Sequence, residues 1–361
     1  MKEHLPLSLG VFSVMALSNA IVPVLPAFGE GPALQSLVYS AYFLGAFLTV
    51  IPAGLLADRV GRLPVIRAGL AITVVSGLLL VALRHPLLVL AGRGIEGVGA
   101  GLFIAAAMSW VNTRPDHEKT SGDFMASLNL GLVTGLLASG WIAEASGSER
   151  AGILAFTLLA LLPAAIVIRM GESPPRPLPQ EGGRGIPAGH LPLYLSAVVL
   201  VGVTGAVTAL YPEFTGQSPS FLGVAIATMY LATVAGVMVA SRLHLPPVRT
   251  IQASAILMAG SLLLLPFSPV GFALIGAIAG FVMIAQMAYL AGTGLPQGAV
   301  MGLYNAATYA GMTLLPALAG VIAGQAGFLP AFLVIALLAL SMAAVIGRCG
   351  CVVPSGGAPG P

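Results

Sequence analysis

Long apolar runs, broken at regular distances by short clusters of charge, proline and glycine, fill this chain. Cutting at those clusters leaves segments near 6–27, 34–57, 65–83, 86–110, 123–145 and 151–169, then 191–211, 220–241, 249–267, 270–291, 298–323 and 329–347. Each is close to the roughly 20 mostly apolar residues that carry a helix across a bilayer. A sheet with open edges finds no partner for its backbone in lipid, so helices are the expected element. The first segment is longer than a signal-peptide core and contains Pro23 and Pro26, so it is expected to be the first spanning helix. Between the two sets of six lies the polar stretch GESPPRPLPQEGGRGIPAGH, whose proline and glycine predict a flexible surface linker. The expected organisation is a six-helix half over 1–170, a cytoplasmic linker over 171–190, a second half over 191–348 and a cytoplasmic tail over 349–361.

Composition sharpens this picture. Hydrophobic residues make up 58% of the chain and charged residues only 7%, against about 25% charged in soluble domains, which excludes a soluble fold. There is no G-x(4)-G-K-[ST] loop to bind ATP and no HExxH, aspartate pair or Ser with His at membrane depth, so an enzyme is not expected. No basic cluster interleaved with aromatics points to nucleic acid. Cys349 and Cys351 form no disulfide framework, and His117, His190 and His244 have no metal-ligand spacing, so no metal or cofactor is expected.

Charge also sets the orientation, because Lys and Arg are retained on the cytoplasmic side. With the N-terminus inside, Lys2, Arg59, Arg62, Arg67, Arg114, Lys119, Arg169, Arg176, Arg184, Arg242, Arg249 and Arg348 are cytoplasmic, and only Arg84 and Arg150 fall outside. The two halves echo one another. Leu128-Asn129 followed by Gly135 returns as Tyr304-Asn305 followed by Gly311, and GWIAEASG (140–147) returns as GVIAGQAG (320–327). The offset grows from 176 to 180 residues, one helical turn, which keeps the matching face nearly in phase.

The most specific stretch is GLLADRVGRLPVI (54–66), where Asp58, Arg59 and Arg62 form a mixed-charge turn and Gly54 and Gly61 permit close backbone approach. An ordinary positive-inside loop explains the arginines but not Asp58 or the glycine spacing. This stretch resembles the loop between the second and third helices of the major facilitator superfamily, G-x-L-A-D-R-x-G-R-[KR]-x-x-[LI], departing from it at Leu63. The resemblance implies an all-α membrane fold of twelve transmembrane helices in two pseudo-symmetric six-helix halves. It also implies that Asp58 and Arg62 latch the halves on the cytoplasmic side, with Asp58 near the positive end of the eleventh helix. The second-half counterpart, near 236–245, keeps Arg242 but has Ser241 where the acid would stand.

A second match, Arg93-Gly-Ile-Glu96-Gly97-Val-Gly99, resembles the fourth-helix pattern R-x-x-[QE]-G-x-G of proton-coupled members. Arg93 and Glu96 are one turn apart and can pair. Charges at that depth cost about 2.5–3.5 kcal/mol on insertion scales, so the pair is read as a proton-coupling site, with a structural ion pair as the alternative. The formal GxGxxG at Gly92, Gly94 and Gly97 follows no strand and is not a dinucleotide site. In the fifth helix Gly131-x-x-x-Gly135 allows close packing, and Leu136 stands where antiporters resembling it carry proline. By the family plan the first, fourth, seventh and tenth helices line the cavity, which nominates Asn19, Thr204, Thr208 and Gln286 as its wall. Taken together, the resemblance implies a secondary carrier nearest to the drug/proton antiporter type. It would act as a monomer in the cell membrane, with both termini cytoplasmic, exporting small amphipathic or apolar compounds against protons. A lipid flippase or a sugar or metabolite carrier on the same fold is the alternative.

Overall fold

The computed structural model describes residues 5–112, 117–171, 190–243, 245–293 and 297–347, and those residues are helix or short connection. Most of the linker, the tail, Lys2, Arg114, Arg176, Arg184, His244, Arg348, Cys349 and Cys351 lie outside the described residues. The first half contains α1 (Leu5–Ala20), a 3₁₀ segment (Val22–Phe28), α2 (Gly31–Val60), α3 (Arg62–Ala82), α4 (Pro86–Asn112), α5 (His117–Ser146) and α6 (Ala151–Ile168). The second contains α7 (Leu191–Thr215), α8 (Pro219–Leu243), α9 (Pro247–Leu264), α10 (Val270–Ala291), α11 (Gln297–Ala326) and α12 (Phe328–Gly347). Eleven of these helices are long and apolar enough to cross a bilayer, and α1 with its bent continuation makes the twelfth. The chain is a multi-pass membrane protein.

The boundaries differ from the sequence reading in two ways. The first span is not one helix: its axis bends by 47° after Ala20, where Pro23 and Pro26 lack the N–H groups that would continue the α-helical ladder. Several helices also outrun their apolar stretches. α2 continues through Asp58 and Arg59 and stops only at Gly61, whose φ of 97° a side chain would strain. α5 begins at His117 rather than near Asp123. Hydropathy marks the part of a helix that meets lipid, whereas the hydrogen-bond ladder runs on until something breaks it.

The two halves are built alike. In the first, α2 packs on α4, α4 on α3, α3 on α6, and α1 on α5 and α6; in the second, α8 packs on α10, α10 on α9, α9 on α12, and α7 on α11 and α12. The echoed glycines sit at matching crossings. A Cβ on Gly135 would meet the Ala16 carbonyl of α1, and one on Gly311 would meet the Val198 carbonyl of α7. The halves join where α5 crosses α8 and α2 crosses α11, a pair of contacts related by the same symmetry. There Gly140 lies against the Pro219 carbonyl and Gly320 against the Ser36 side chain.

These junctions lie at the end of the bundle opposite the termini, and that end is sealed. Val22, Leu25 and Phe28 of the 3₁₀ segment share one buried core with Leu210 and Tyr211 of α7. The Tyr211 ring meets Phe272 at 4.7 Å, and Phe214 meets Phe328 and Phe332 at 5.4 and 5.5 Å. Across the halves, Gln35 Nε2 donates to Glu213 Oε2 at 2.7 Å. Arg150, in the α5–α6 turn, donates to the Val81 carbonyl at 3.2 Å and lies over the Phe28 ring. Burial, with Arg84 nearby, holds its guanidinium below the ordinary arginine pKa. At the terminus-bearing end the arrangement reverses. A separate apolar cluster around Leu7, Leu63, Ile66, Phe124 and Val167 draws on the first half alone. Gly54 and Gly302 face open space, and α5 is exposed at Gly122, Met125 and Ala126. The halves diverge toward that end.

Candidate functional site

α4 can approach α2 closely because glycine replaces side chains at their crossing: a Cβ on Gly97 would meet the Tyr42 carbonyl, and one on Gly45 would meet the Gly94 carbonyl. That approach wraps Arg93 and Glu96 in protein, leaving each 1% exposed. Arg93 Nη1 donates to Glu96 Oε2 at 2.5 Å and Nη2 donates to the Ser18 carbonyl of α1 at 3.3 Å. The guanidinium carbon stands 4.8 Å from the centre of the Tyr42 ring, a cation–π contact that helps hold the charge away from water. Two polar atoms are left over: Arg93 Nε and Glu96 Oε1 are buried with no partner. Each such orphan costs about 1–3 kcal/mol, so the arrangement is poor as a purely structural ion pair.

Around this pair the two halves contribute a ring of polar groups. The Tyr39 hydroxyl of α2 faces Thr208 of α7 and Tyr230 of α8 but closes no hydrogen bond of standard geometry with either. Tyr230 also faces Asn19 of α1, whose Nδ2 donates to the Leu132 carbonyl at 3.1 Å. Tyr309 of α11 stands beside Tyr42, with its ring 6.5 Å from Phe43. Next to Tyr230 opens a cavity of about 170 Å³ between α5, α7, α8 and α10, lined by Asn129, Leu132, Thr204, Met229 and Met283 among others. Its wall is mainly apolar with a few hydroxyls and one amide, which suits a ligand with an apolar body.

The sequence-nominated residues separate into three groups. Arg93, Glu96, Asn19 and Thr208 come together in this polar nest, and Thr204 lines the adjoining cavity while donating to the Val201 carbonyl. Gln286 does not join them. It is fully buried inside the second half, with Nε2 donating to Ser196 Oγ at 3.0 Å and Oε1 accepting from the Tyr304 hydroxyl at 3.1 Å. The third group is the α2–α3 turn. Gly61 makes the turn and Arg62 Nε donates to Ser109 Oγ of α4 at 2.9 Å, whereas Asp58 and Arg59 are exposed. Among the described residues Asp58 has no ion pair or hydrogen bond, and Gly54 makes no close approach. Sequence reasoning nominated neither Tyr39 nor Tyr230 and missed Gln35 altogether. A glutamine just inside an apolar segment was the one available signal for it.

A family model described as the Major Facilitator Superfamily matches residues 7–213. An uncharacterized MFS-type transporter of Mycobacterium tuberculosis is 31% identical over 144 residues, 37% of this chain and 21% of that protein. Quinolone resistance protein NorA of Staphylococcus aureus is 25% identical over 174 residues, 45% of each chain. The matched region thus spans less than half the length of these relatives. Among solved structures, a bacterial homolog of the human lysosomal transporter Spinster, inward-facing and occupied, superposes with a TM-score of 0.77 at 16% identity, covering 96% of this chain and 95% of that one. The nucleoside transporter NupG superposes equally well, with a TM-score of 0.77 at 11% identity over 96% of this chain and all of that one. At these identities the likeness is one of fold.

Proposed function

This chain belongs to the major facilitator superfamily, and on that premise we propose that it is a secondary transporter of the cell membrane that exports small amphipathic or apolar compounds in exchange for protons. The observation that carries the reading is the buried Arg93–Glu96 pair with its unpaired Glu96 Oε1, at the level where both halves meet. Glu96 is the proton carrier: a proton on Oε1 neutralises the carboxylate and loosens its hold on Arg93, and losing that proton restores the pair. Arg93, once loosened, has the Tyr42 ring and the Ser18 carbonyl to hold it. The mixed wall of Leu132, Met229, Met283, Thr204 and Tyr230 suits substrates with an apolar body and one polar group. The similarity to NorA supports a drug-like substrate class.

In this reading the termini are cytoplasmic and the chain acts as a monomer. The conformation described is then closed outside and open inside, and Asp58 stands free because its partner, the start of α11, is reached only when the cytoplasmic side shuts. The test is transport in proteoliposomes loaded with a pH dye, comparing the wild type with Glu96→Gln across lipophilic cations, sugars and lipids. Substrate-dependent proton movement that the substitution abolishes is the expected result. Flux that Glu96→Gln leaves unchanged, or flux without proton movement, overturns the coupling and returns a uniporter or flippase.

A further inference from the structure

The second half carries a second opening, remote from the polar nest and facing outward between α9 and α10. It has a volume of about 430 Å³, with Leu245, Ala253, Leu257, Ala277 and Phe281 among its walls. A smaller cavity of about 140 Å³ adjoins it toward α8, sharing Leu245, Thr250 and Phe281. The two form one apolar groove that starts at the terminus-bearing end of the bundle.

Three polar features grade its mouth. Arg249, in the first turn of α9, lines the groove and is exposed, and Arg242, in the last turn of α8, is exposed at the same end. Neither has an acid to pair with in its own half, because Glu213 is the only acidic residue between 191 and 361 and lies at the opposite end. Ser254, about 7 Å further along α9 by helical rise, is 5% exposed and lines the groove, and its hydroxyl has no protein partner among the described residues. Cationic heads at the mouth, an accessible, unpartnered hydroxyl about 7 Å deeper and an apolar trough beyond follow the order of phosphate, ester and acyl chain in a phospholipid.

We propose that this groove is a binding site for an anionic phospholipid, its phosphate held by Arg249 and Arg242, an ester oxygen by Ser254 and an acyl chain in the trough. Unpaired arginines beside an apolar groove favour an anionic over a zwitterionic headgroup, since each basic group near the membrane surface contributes roughly a fivefold preference. The site lies outside the path between the halves and does not depend on the transport reading.

Native mass spectrometry of the full-length protein, delipidated in detergent and titrated with phosphatidylglycerol or phosphatidylcholine, tests it. The wild type should retain phosphatidylglycerol preferentially. Arg242→Gln with Arg249→Gln should cut that preference by roughly twentyfold, whereas Arg59→Gln, at the same end of the other half, should leave it intact. Ala253→Phe, which fills the trough, should weaken both lipids. Equal retention of the two lipids by the wild type, or an equal loss with Arg59→Gln, overturns the proposal. If phosphatidylglycerol is instead carried across proteoliposomes and Ala253→Phe stops that flux, the groove is a transport entrance rather than a resident site, and the proposal also fails.

Discussion

α4 and α10 occupy the same place in the two halves, yet their buried polar clusters are finished to different degrees. On α10, Gln286 gives its amide N–H to Ser196 and takes the Tyr304 hydroxyl on its carbonyl, so each partner is neutral and each is answered. On α4, Arg93 and Glu96 are charged, equally buried, and keep an orphaned atom apiece. A complete neutral network rigidifies the helices it joins; an incomplete charged one stores free energy that a proton or ligand can release. On the proposed reading, the first half carries the titratable chemistry and the second presents an uncharged wall to it.

The strongest way to break that contrast is to strand a charge. Arg93→Ala leaves Glu96 buried without its partner and should cost about 3–5 kcal/mol of stability, read as the unfolding midpoint in detergent, with transport lost. Arg93→Met combined with Glu96→Leu should restore stability to within about 1 kcal/mol of the wild type, because a buried pair contributes little over an apolar one, while transport stays absent. If the double variant is as unstable as the single, the pair is structural after all.

Gln286→Leu should cost about 1–3 kcal/mol by stranding the Tyr304 hydroxyl, while Ser196 keeps its bond to the Leu193 carbonyl, with proton coupling unchanged. A variant that folds as well as the wild type but fails to couple would erase the difference between the clusters. Across the sealed end, Gln35→Leu removes the bond to Glu213. It should shift the balance between closed and open forms by about tenfold, as expected for a bond to a charged group, measured as distances between spin labels on the α2–α3 turn and the end of α8. Tyr39→Phe works in the opposite direction. It removes a buried hydroxyl that makes no bond, so stability should rise, by about 1 kcal/mol, while the apparent substrate affinity changes.

Which parts of this were legible in the sequence follows from what lipid enforces. Every span was readable because hydrocarbon excludes polar backbone and side chains alike. Arg93 and Glu96 stood out for the same reason, as the charges a bilayer tolerates least. The extension of α2 to Val60 was not readable, since beyond the lipid boundary hydropathy no longer reports helix. Nor could sequence separate Gln286 from Asn19, because both are amides at membrane depth and only the tertiary arrangement decides which finds two answering partners. Tyr39 and Tyr230 meet because α2 and α8 come from different halves, and Gln35 finds Glu213 across 178 residues. No local period encodes such a meeting. The repeat was readable at its glycines, since those are where backbone touches backbone.

Those glycines also set the mechanical proportions of the molecule. Gly140 on Pro219 and Gly320 on Ser36 make a pair of bearings at one extremity, and from Gly320 to Val300 α11 extends about 30 Å by helical rise. A tilt of about 10° about that bearing sweeps the far tip through about 5 Å, close to one helical pitch. A long arm turning on a short axle needs little slack where backbones touch, and one added methyl group at Gly140 or Gly320 takes up that slack first.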